Sequence, residues 1–202
     1  MKNTEQGEIA AELGQMYEKF CHSKMKFEEL QLILDISQIR IYPKGEIIRC
    51  IQQPTVHTGL LLKGIVRNYF LDAEGNEITK YFSREGNFIM DEGLLGYKQS
   101  IAALEALEKS TVLLMDTVKL KQLIQVNDTF KNLYINCLEW ALRYKIYRES
   151  EFLTKNATER YLQFCNDFPE LGNRVKQSYI STYLGITPES LSRIRKALKN
   201  HL

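Results

Sequence analysis

The sequence is poor in residues that build catalytic or metal centres. It has only three histidines, and a single one, His57, falls where strands are predicted, so a barrel enzyme with a histidine-rich metal site is disfavoured. Cys21, Cys50, Cys137 and Cys165 form no C-x-x-C pair, which argues against a zinc site or an iron–sulfur cluster. No nucleophile elbow, Walker loop or dinucleotide fingerprint occurs. We therefore expect a protein that is not an enzyme and holds no cofactor or metal.

Long apolar segments are also missing. No apolar run approaches the roughly twenty residues that span a bilayer, and the N-terminal MKNTEQGEIAAELGQ lacks the apolar core of a secretory signal. A content of 44% hydrophobic and 26% charged residues is typical of a globular protein. We expect a cytoplasmic protein without a membrane partner, and 202 residues allow one large domain or two small ones.

The segment KQSYISTYLGITPESLSRIRKALKNHL predicts a helix-turn-helix. Gly185 stands where the backbone must reverse, and a glycine there tolerates a positive φ. Thr187 is a suitable N-cap for the second helix, and Pro188 suits its first position. Apolar residues at helical spacing predict the buried face of that helix: Leu191, Ile194 and Leu198.

The opposite face of the second helix carries polar side chains that suit DNA. Four residues are candidates for contacts with base edges: Glu189, Ser190, Arg193 and Lys196. Seven more are candidates for phosphate contacts: Lys176, Gln177, Ser178, Thr187, Ser192, Arg195 and Lys199. From Gly172 onward six cations face the single anion Glu189, a net charge of +5 in a chain of net charge +2. Such an asymmetry favours a phosphate-binding module.

The rest of the chain predicts helices, then strands, then a long helix. Residues up to Ser37 are predicted to be helical, over Glu5–Phe20 and Phe27–Asp35. From Gln38 to about Asp116, short segments of alternating apolar and polar residues separated by turn signals predict an antiparallel barrel or sandwich. Within it, the segment from Asp72 to Gly75 predicts a hairpin turn.

The long helix is predicted to begin with Thr129 as its N-cap and to end near Leu153. Six residues spaced alternately three and four apart predict a dimer seam: Phe130, Leu133, Cys137, Trp140, Tyr144 and Tyr147. A second apolar face consists of Ile135, Leu138, Leu142 and Ile146. We expect one face to pack on the barrel of its own chain and the other on a partner subunit. The alternative is a helix buried entirely in one core.

A barrel, a long helix and a terminal helix-turn-helix, in this order, resemble the Crp/Fnr family of transcription regulators. The stretches that carry the resemblance are 42–48, 62–67, 72–77 and 177–198. The resemblance implies an α+β fold with a cyclic-nucleotide-binding-like jelly-roll sensor barrel and its N-terminal helices over 1–116, a dimerisation helix region over 117–153 and a helix-turn-helix DNA-binding domain over 154–202. It also implies a homodimer that binds a two-fold symmetric operator in double-stranded DNA, with RNA polymerase as a further partner.

The same resemblance locates an effector site in the barrel, and this site is degenerate. Met90 and Asp91 fall where cyclic-nucleotide-binding relatives have Gly-Glu, and Ser100 and Ile101 fall where they have the phosphate-binding Arg-Ser. No arginine occurs between Arg84 and Arg143. Because a buried phosphate needs a guanidinium or several donors, we expect an effector other than cyclic AMP or cyclic GMP, or none.

A further functional alternative is a small-molecule-binding jelly-roll module that acts through protein partners. That alternative leaves the +5 charge of the C-terminal segment unexplained.

Overall fold

The computed structural model describes the backbone of residues 2–199. Residues 1 and 200–202, which include His201, lie outside the described part. So do the side chains of residues 2–6, Glu8 and Asp91. The chain divides into two compact units. The first extends to Asn68 and includes Phe82–Ala141, and the second combines Tyr69–Tyr81 with the chain from Leu142 onward.

The structure has eight α-helices in the described part of the chain. They are α1 (Lys2–Cys21), α2 (Phe27–Asp35), α3 (Thr117–Val126), α4 (Asp128–Thr154), α5 (Ala157–Asp167), α6 (Leu171–Arg174), α7 (Gln177–Leu184) and α8 (Pro188–Lys199). Of these, α3 and α6 were not predicted. A short 3₁₀ turn covers Asp91–Gly93. In the described part of the chain, none of the helices is long and apolar enough to cross a membrane.

The strands form two four-stranded sheets. They are β1 (Ser37–Tyr42), β2 (Ile47–Arg49), β3 (His57–Lys63), β4 (Val66–Leu71), β5 (Glu77–Ser83), β6 (Phe88–Ile89), β7 (Ala103–Ala106) and β8 (Ser110–Asp116). One sheet has the order β1-β8-β3-β6 and the other β2-β7-β4-β5. In the first sheet β8 pairs antiparallel with both of its neighbours, β1 and β3.

Strand β8 shows why the first sheet has a core on each face. Successive side chains of a strand point to opposite faces, and here both faces are covered. Leu113 and Met115 pack in a core with residues of α1 to α4, whereas Val112 and Leu114 pack in a core that includes Leu104 of the other sheet. The continuous apolar run of β8 is therefore the sequence of a strand that is buried on both sides.

The hairpin between β4 and β5 forms as the sequence predicts. Gly75 has φ of 84°, and the Asp72 carboxylate accepts hydrogen bonds from the backbone N–H groups of Glu74 and Asn76. The Asn76 side-chain amide also donates to it, and this bond is the main cause of the lowered pKa of Asp72. Asp72 thus holds the turn in its ionised form.

The predicted helix limits hold for α2 and differ at both ends of α1, around α3 and at the start of α4. The bounds of α2 and the end of the strand region at Asp116 agree with prediction. Helix α3 was not predicted as a separate element, although the Asp116 carboxylate caps it by accepting from the Lys119 N–H. The predicted N-cap of the long helix at Thr129 is wrong by two residues. The Asn127 side chain accepts from the Thr129 N–H, so Asn127 is the capping residue.

Candidate nucleic-acid interface and ligand-binding barrel

The turn between α7 and α8 has the predicted geometry. Gly185 ends α7 in the left-handed region, with φ of 65° and ψ of 39°. A side chain there would also meet the ring of Phe152, because a Cβ built on Gly185 lies 2.8 Å from Phe152 Cε1. Both the backbone conformation and the close approach therefore require glycine.

The start of α8 is capped as predicted. Thr187 Oγ1 accepts a hydrogen bond from the Ser190 N–H at 3.2 Å, and Pro188 is the first helical residue. Leu191 is buried and anchors the helix. The pKa of Glu189 is lowered, first by a hydrogen bond from the backbone N–H of Glu189 itself and then by one from the Thr187 hydroxyl. The Glu189 carboxylate is therefore ionised at neutral pH.

The candidate base-reading residues lie on the outer face of α8. Glu189, Arg193 and Lys196 are exposed, and Ser190 is half-buried. Arg193 Nη2 lies 3.4 Å from the hydroxyl of Ser190, to which it donates. The face therefore presents a guanidinium, an ammonium and a carboxylate on a single helix.

The candidate phosphate-binding residues divide by exposure. Lys176, Ser178, Thr187, Ser192 and Lys199 are exposed, whereas Gln177 and Arg195 are half-buried. Gln177 donates from its side chain to the carbonyl of Gly172 at 3.0 Å, so its amide already holds the start of α7.

Two arginines hold the end of α7, and sequence reasoning missed both. Arg148 donates to the carbonyl of Tyr183 at 2.7 Å and stacks on the Tyr183 ring at 3.8 Å. Arg160 donates to the carbonyl of Leu184 at 3.1 Å and to that of Lys155 at 2.7 Å. The last carbonyls of a helix lack partners within the helix, so these bonds satisfy them and fix the turn.

A buried carboxylate, Glu151, pairs with one of these arginines and with Lys155. Glu151 is only 2% exposed and forms ion pairs with Arg148 at 3.1 Å and with Lys155 at 3.3 Å. Glu151 lies three residues after Arg148 and four residues before Lys155, and this helical spacing could have indicated both ion pairs from the sequence.

Strand β5 packs against α7 within the second unit. Thr182 Oγ1 accepts from the Thr79 N–H at 3.2 Å and donates to Thr79 Oγ1 at 2.9 Å. The ring of Tyr81 meets that of Tyr144 edge to face at 5.0 Å, and the hydroxyls of Tyr144 and Tyr183 lie 3.0 Å apart. Burial is the main cause that raises the pKa of Tyr144, so this hydroxyl is neutral.

The residues of the predicted dimer seam on α4 contact their own chain to different extents. Phe130 and Leu133 are buried in the core of their own chain, and Cys137 packs against the same core. The other three seam residues also contact their own chain: Trp140 meets Phe20, Tyr144 meets Tyr81, and Tyr147 donates to Asp167. Alternating spacing shows that a helix face is covered, but not by which chain.

The second apolar face of α4 is exposed at all four of its residues, whereas the first is exposed at Trp140 and Tyr147. The members of the second face are Ile135, Leu138, Leu142 and Ile146, which are 43%, 38%, 59% and 58% exposed. They recur at helical spacing along a single helix, so they form one stripe. We call this set the α4 stripe.

The degenerate effector cassette lies partly inside the barrel. Met90 is buried between the sheets and has φ of 59°, a conformation that favours the glycine expected at this place. Ser100 is buried and donates from its hydroxyl to the carbonyl of Ala102. Ile101 is 43% exposed, so its assignment to the pocket is not supported. The backbone of Asp91 opens the 3₁₀ turn, and its side chain lies outside the described part.

The barrel nevertheless contains two buried arginines outside the cassette. Arg49 pairs with the buried Glu92, and Arg67 pairs with Glu105 at 2.6 Å. Each guanidinium is balanced by one carboxylate, so the two pairs together are neutral. Sequence reasoning considered only cations within the cassette and missed these strand residues.

Comparison with known proteins supports this architecture. Residues 39–127 match the cyclic nucleotide-binding domain family. No curated protein sequence matches the chain.

Three solved structures show how far the likeness extends. FixK2 from Bradyrhizobium japonicum has 22% identity over 82% of this chain and 86% of its own, with a TM-score of 0.72. The c-di-GMP-responsive global regulator CLP of Xanthomonas campestris has 18% identity over 85% and 91%, with a TM-score of 0.70. A Crp/Fnr-family regulator described as putative, from Eubacterium rectale, has 16% identity over 88% and 85%, with a TM-score of 0.71.

The predicted fold class is confirmed, since the similarity covers the barrel, the long helix and the C-terminal helices. Residues 39–127 therefore resemble a cyclic nucleotide-binding domain, and the chain as a whole has the α+β fold seen in the solved Crp/Fnr-type regulators.

Proposed function

We propose that this protein is a sequence-specific DNA-binding transcription regulator of the Crp/Fnr type, that it acts as a cytoplasmic homodimer, and that it is not an enzyme. The exposed polar face of α8 carries the proposal. Leu191 anchors the helix, and Glu189, Arg193 and Lys196 are left in solvent. Arginine pairs with the O6 and N7 acceptors of guanine, and a carboxylate accepts from the N4 amino group of cytosine.

The rigid support behind α8 suits this role. Arg148 and Arg160 hold the last carbonyls of α7, and Gly185 and Thr187 define the turn and the cap. A recognition helix must present its side chains in a fixed register to be selective among base pairs. The local hydrogen bonds supply that rigidity.

Dimerisation is assigned to the α4 stripe. Its four exposed aliphatic side chains form a contiguous apolar surface that is costly to leave in water. An identical stripe on a second copy is the simplest cover, because two-fold dimers use the same surface on both subunits. Two recognition helices held ~34–36 Å apart then reach successive major grooves.

The effector of the barrel is assigned to a class other than cyclic nucleotides. The arginines in the barrel are already balanced in charge by Glu92 and Glu105, so these two pairs offer a cyclic phosphate no net positive charge to offset the cost of its burial. The Xanthomonas regulator CLP is c-di-GMP-responsive. The same electrostatic argument disfavours that ligand in this barrel.

The test is a site selection from random-sequence DNA with the full-length protein, followed by titration of the selected duplex. Arg193→Ala should weaken binding by ~1–3 kcal/mol per contacted guanine, or about 5- to 150-fold, and relax the preference at one position of each half-site. Lys199→Ala is the matched control. It should flatten the salt dependence by about one unit per subunit and leave the sequence preference unchanged.

Two outcomes would contradict the proposal. If no sequence were enriched by the wild-type protein, the alternative module that acts through protein partners would be favoured. If Arg193→Ala weakened binding to all sequences equally, the base-reading role of Arg193 would be wrong.

A further inference from the structure

A cavity of about 110 Å³ lies within the first unit, between the helices and the first sheet. Side chains from α1, α2, α3 and α4 line it on one side, and Phe88 and Met115 line it from β6 and β8. Helix α4 contributes the largest share of the lining, from Phe130 to Ala141.

This cavity is separate from the cassette. Met115 faces the cavity, while its neighbour Leu114 packs with Met90 in the core between the sheets. Because successive strand residues point to opposite faces, the cavity and Met90 lie on opposite sides of β8. A ligand in the cavity would therefore not occupy the cyclic-nucleotide position.

The lining excludes charged ligands. Its polar members among the described residues are Asn87, Tyr134 and Cys137, and none of the described residues that line it is charged. Asn87 already accepts from the backbone N–H of Arg84 at 3.0 Å, and the Tyr134 hydroxyl donates to the carbonyl of Leu94 at 3.4 Å. An ion in this space would lose its hydration without gaining a counter-charge.

The volume of the cavity and the flexibility of its lining side chains determine the size of ligand that it can hold. An apolar cavity of about 150 Å³ in another protein stays dry and binds benzene, so about 110 Å³ is near the lower limit for one aromatic ring. Met16, Met25 and Met115 supply part of the lining. Methionine is unbranched and flexible, so these side chains can adjust to an occupant.

The lining of the cavity reaches the protein surface. Leu95 and Trp140 line it and are 50% and 42% exposed. We infer that a small apolar molecule enters at these two residues.

We propose that this cavity is a binding site for a small neutral apolar molecule of about the size of a single aromatic ring. The site lies on the outer side of the first sheet and is walled by α4. The proposal concerns binding alone, so it stands or falls independently of DNA binding.

The only tryptophan of the sequence provides the test, because Trp140 lines the cavity. Full-length protein is titrated with bromobenzene, whose heavy atom quenches indole emission on contact. We expect saturable quenching that excess benzene reverses. The anion 4-bromobenzoate, at the same concentrations, should quench only in the linear manner of a molecule in solution.

A cavity-filling variant localises the site. Ala141→Leu places three extra carbons at the lining and should weaken bromobenzene binding at least tenfold, whereas Ala11→Leu, on an exposed position of α1, should not. If Ala141→Leu does not fold, as judged by circular dichroism, Cys137→Leu serves the same purpose. Benzene should also raise the melting temperature of the wild-type protein but not that of the filled variant.

Two results would overturn the proposal. One is quenching that stays linear in bromobenzene concentration and equal for neutral and anionic probes. The other is saturable quenching that is unchanged in the filled variant, because binding would then occur elsewhere.

Discussion

Replacement of Gly185 by alanine tests the geometry of the turn that positions α8. Gly185 has φ of 65°, and a residue with a Cβ costs roughly 1–2 kcal/mol in the left-handed region. The new methyl group would also lie 2.8 Å from Phe152 Cε1. Phe152 is 46% exposed, and the guanidiniums of Arg148 and Arg160 lie 4.9 and 5.1 Å from the centre of its ring, so moving the ring away from the new methyl group would change both contacts.

We therefore expect Gly185→Ala to lower the free energy of unfolding by at least ~1–2 kcal/mol, which corresponds to a fall in melting temperature of about 2–8 °C in a chain of this length. Chemical denaturation followed by far-ultraviolet circular dichroism is the suitable assay. Tryptophan emission is not, since Trp140 lies in the first unit.

Two controls separate the backbone contribution from the contact. Gly172→Ala should cause no loss, because a Cβ at Gly172 meets open space and no positive φ is needed there. In a Phe152→Ala background the penalty of Gly185→Ala should shrink by about 0.5 kcal/mol or more, the coupling expected of residues in contact. Equal stability of Gly185→Ala and Gly172→Ala would refute this account of the turn.

Two further predictions concern the hairpin of β4 and β5. Thr182→Val should leave the buried N–H of Thr79 without its acceptor, costing ~1–3 kcal/mol and accelerating hydrogen exchange at that amide; unchanged protection would contradict the contact. Asp72→Asn should destabilise the protein most at neutral pH. Because hydrogen bonds lower the folded-state pKa of Asp72, its contribution is present above the unfolded value near 3.8 and is lost as the pH falls through the folded value. A stability difference between wild type and Asp72→Asn that persists unchanged in acid would contradict this role.

Local chemistry explains which parts of the fold could be predicted. Gly185, Thr187 and Pro188 each have a conformational preference that the neighbouring residues do not override, and all three lie where the sequence indicates. The bounds of α2 also agree with prediction, because the helical spacing of its apolar residues is likewise a property of a short segment. Periodicity and turn residues are properties of short segments, and short segments decide these features.

Features that depend on distant residues could not be predicted in this way. The spacing of Phe130 and Leu133 reveals a covered helix face, but the covering residues come from α1, α2 and the sheet rather than from a second subunit. Arg148 finds its carbonyl partner 35 residues away in Tyr183, and Arg49 finds Glu92 43 residues away. Such pairings depend on how the elements pack, and the sequence alone shows only that a buried charge needs a partner.

The central claim is that two copies of this chain read one two-fold symmetric DNA site. The most direct test is the mass, by sedimentation equilibrium, of the complex between the full-length protein and the duplex selected from random DNA. The account predicts two protein chains per duplex, on a sequence whose half-sites repeat with inverted symmetry about one helical turn apart. One chain per duplex, or a selected site without two-fold symmetry, would contradict it.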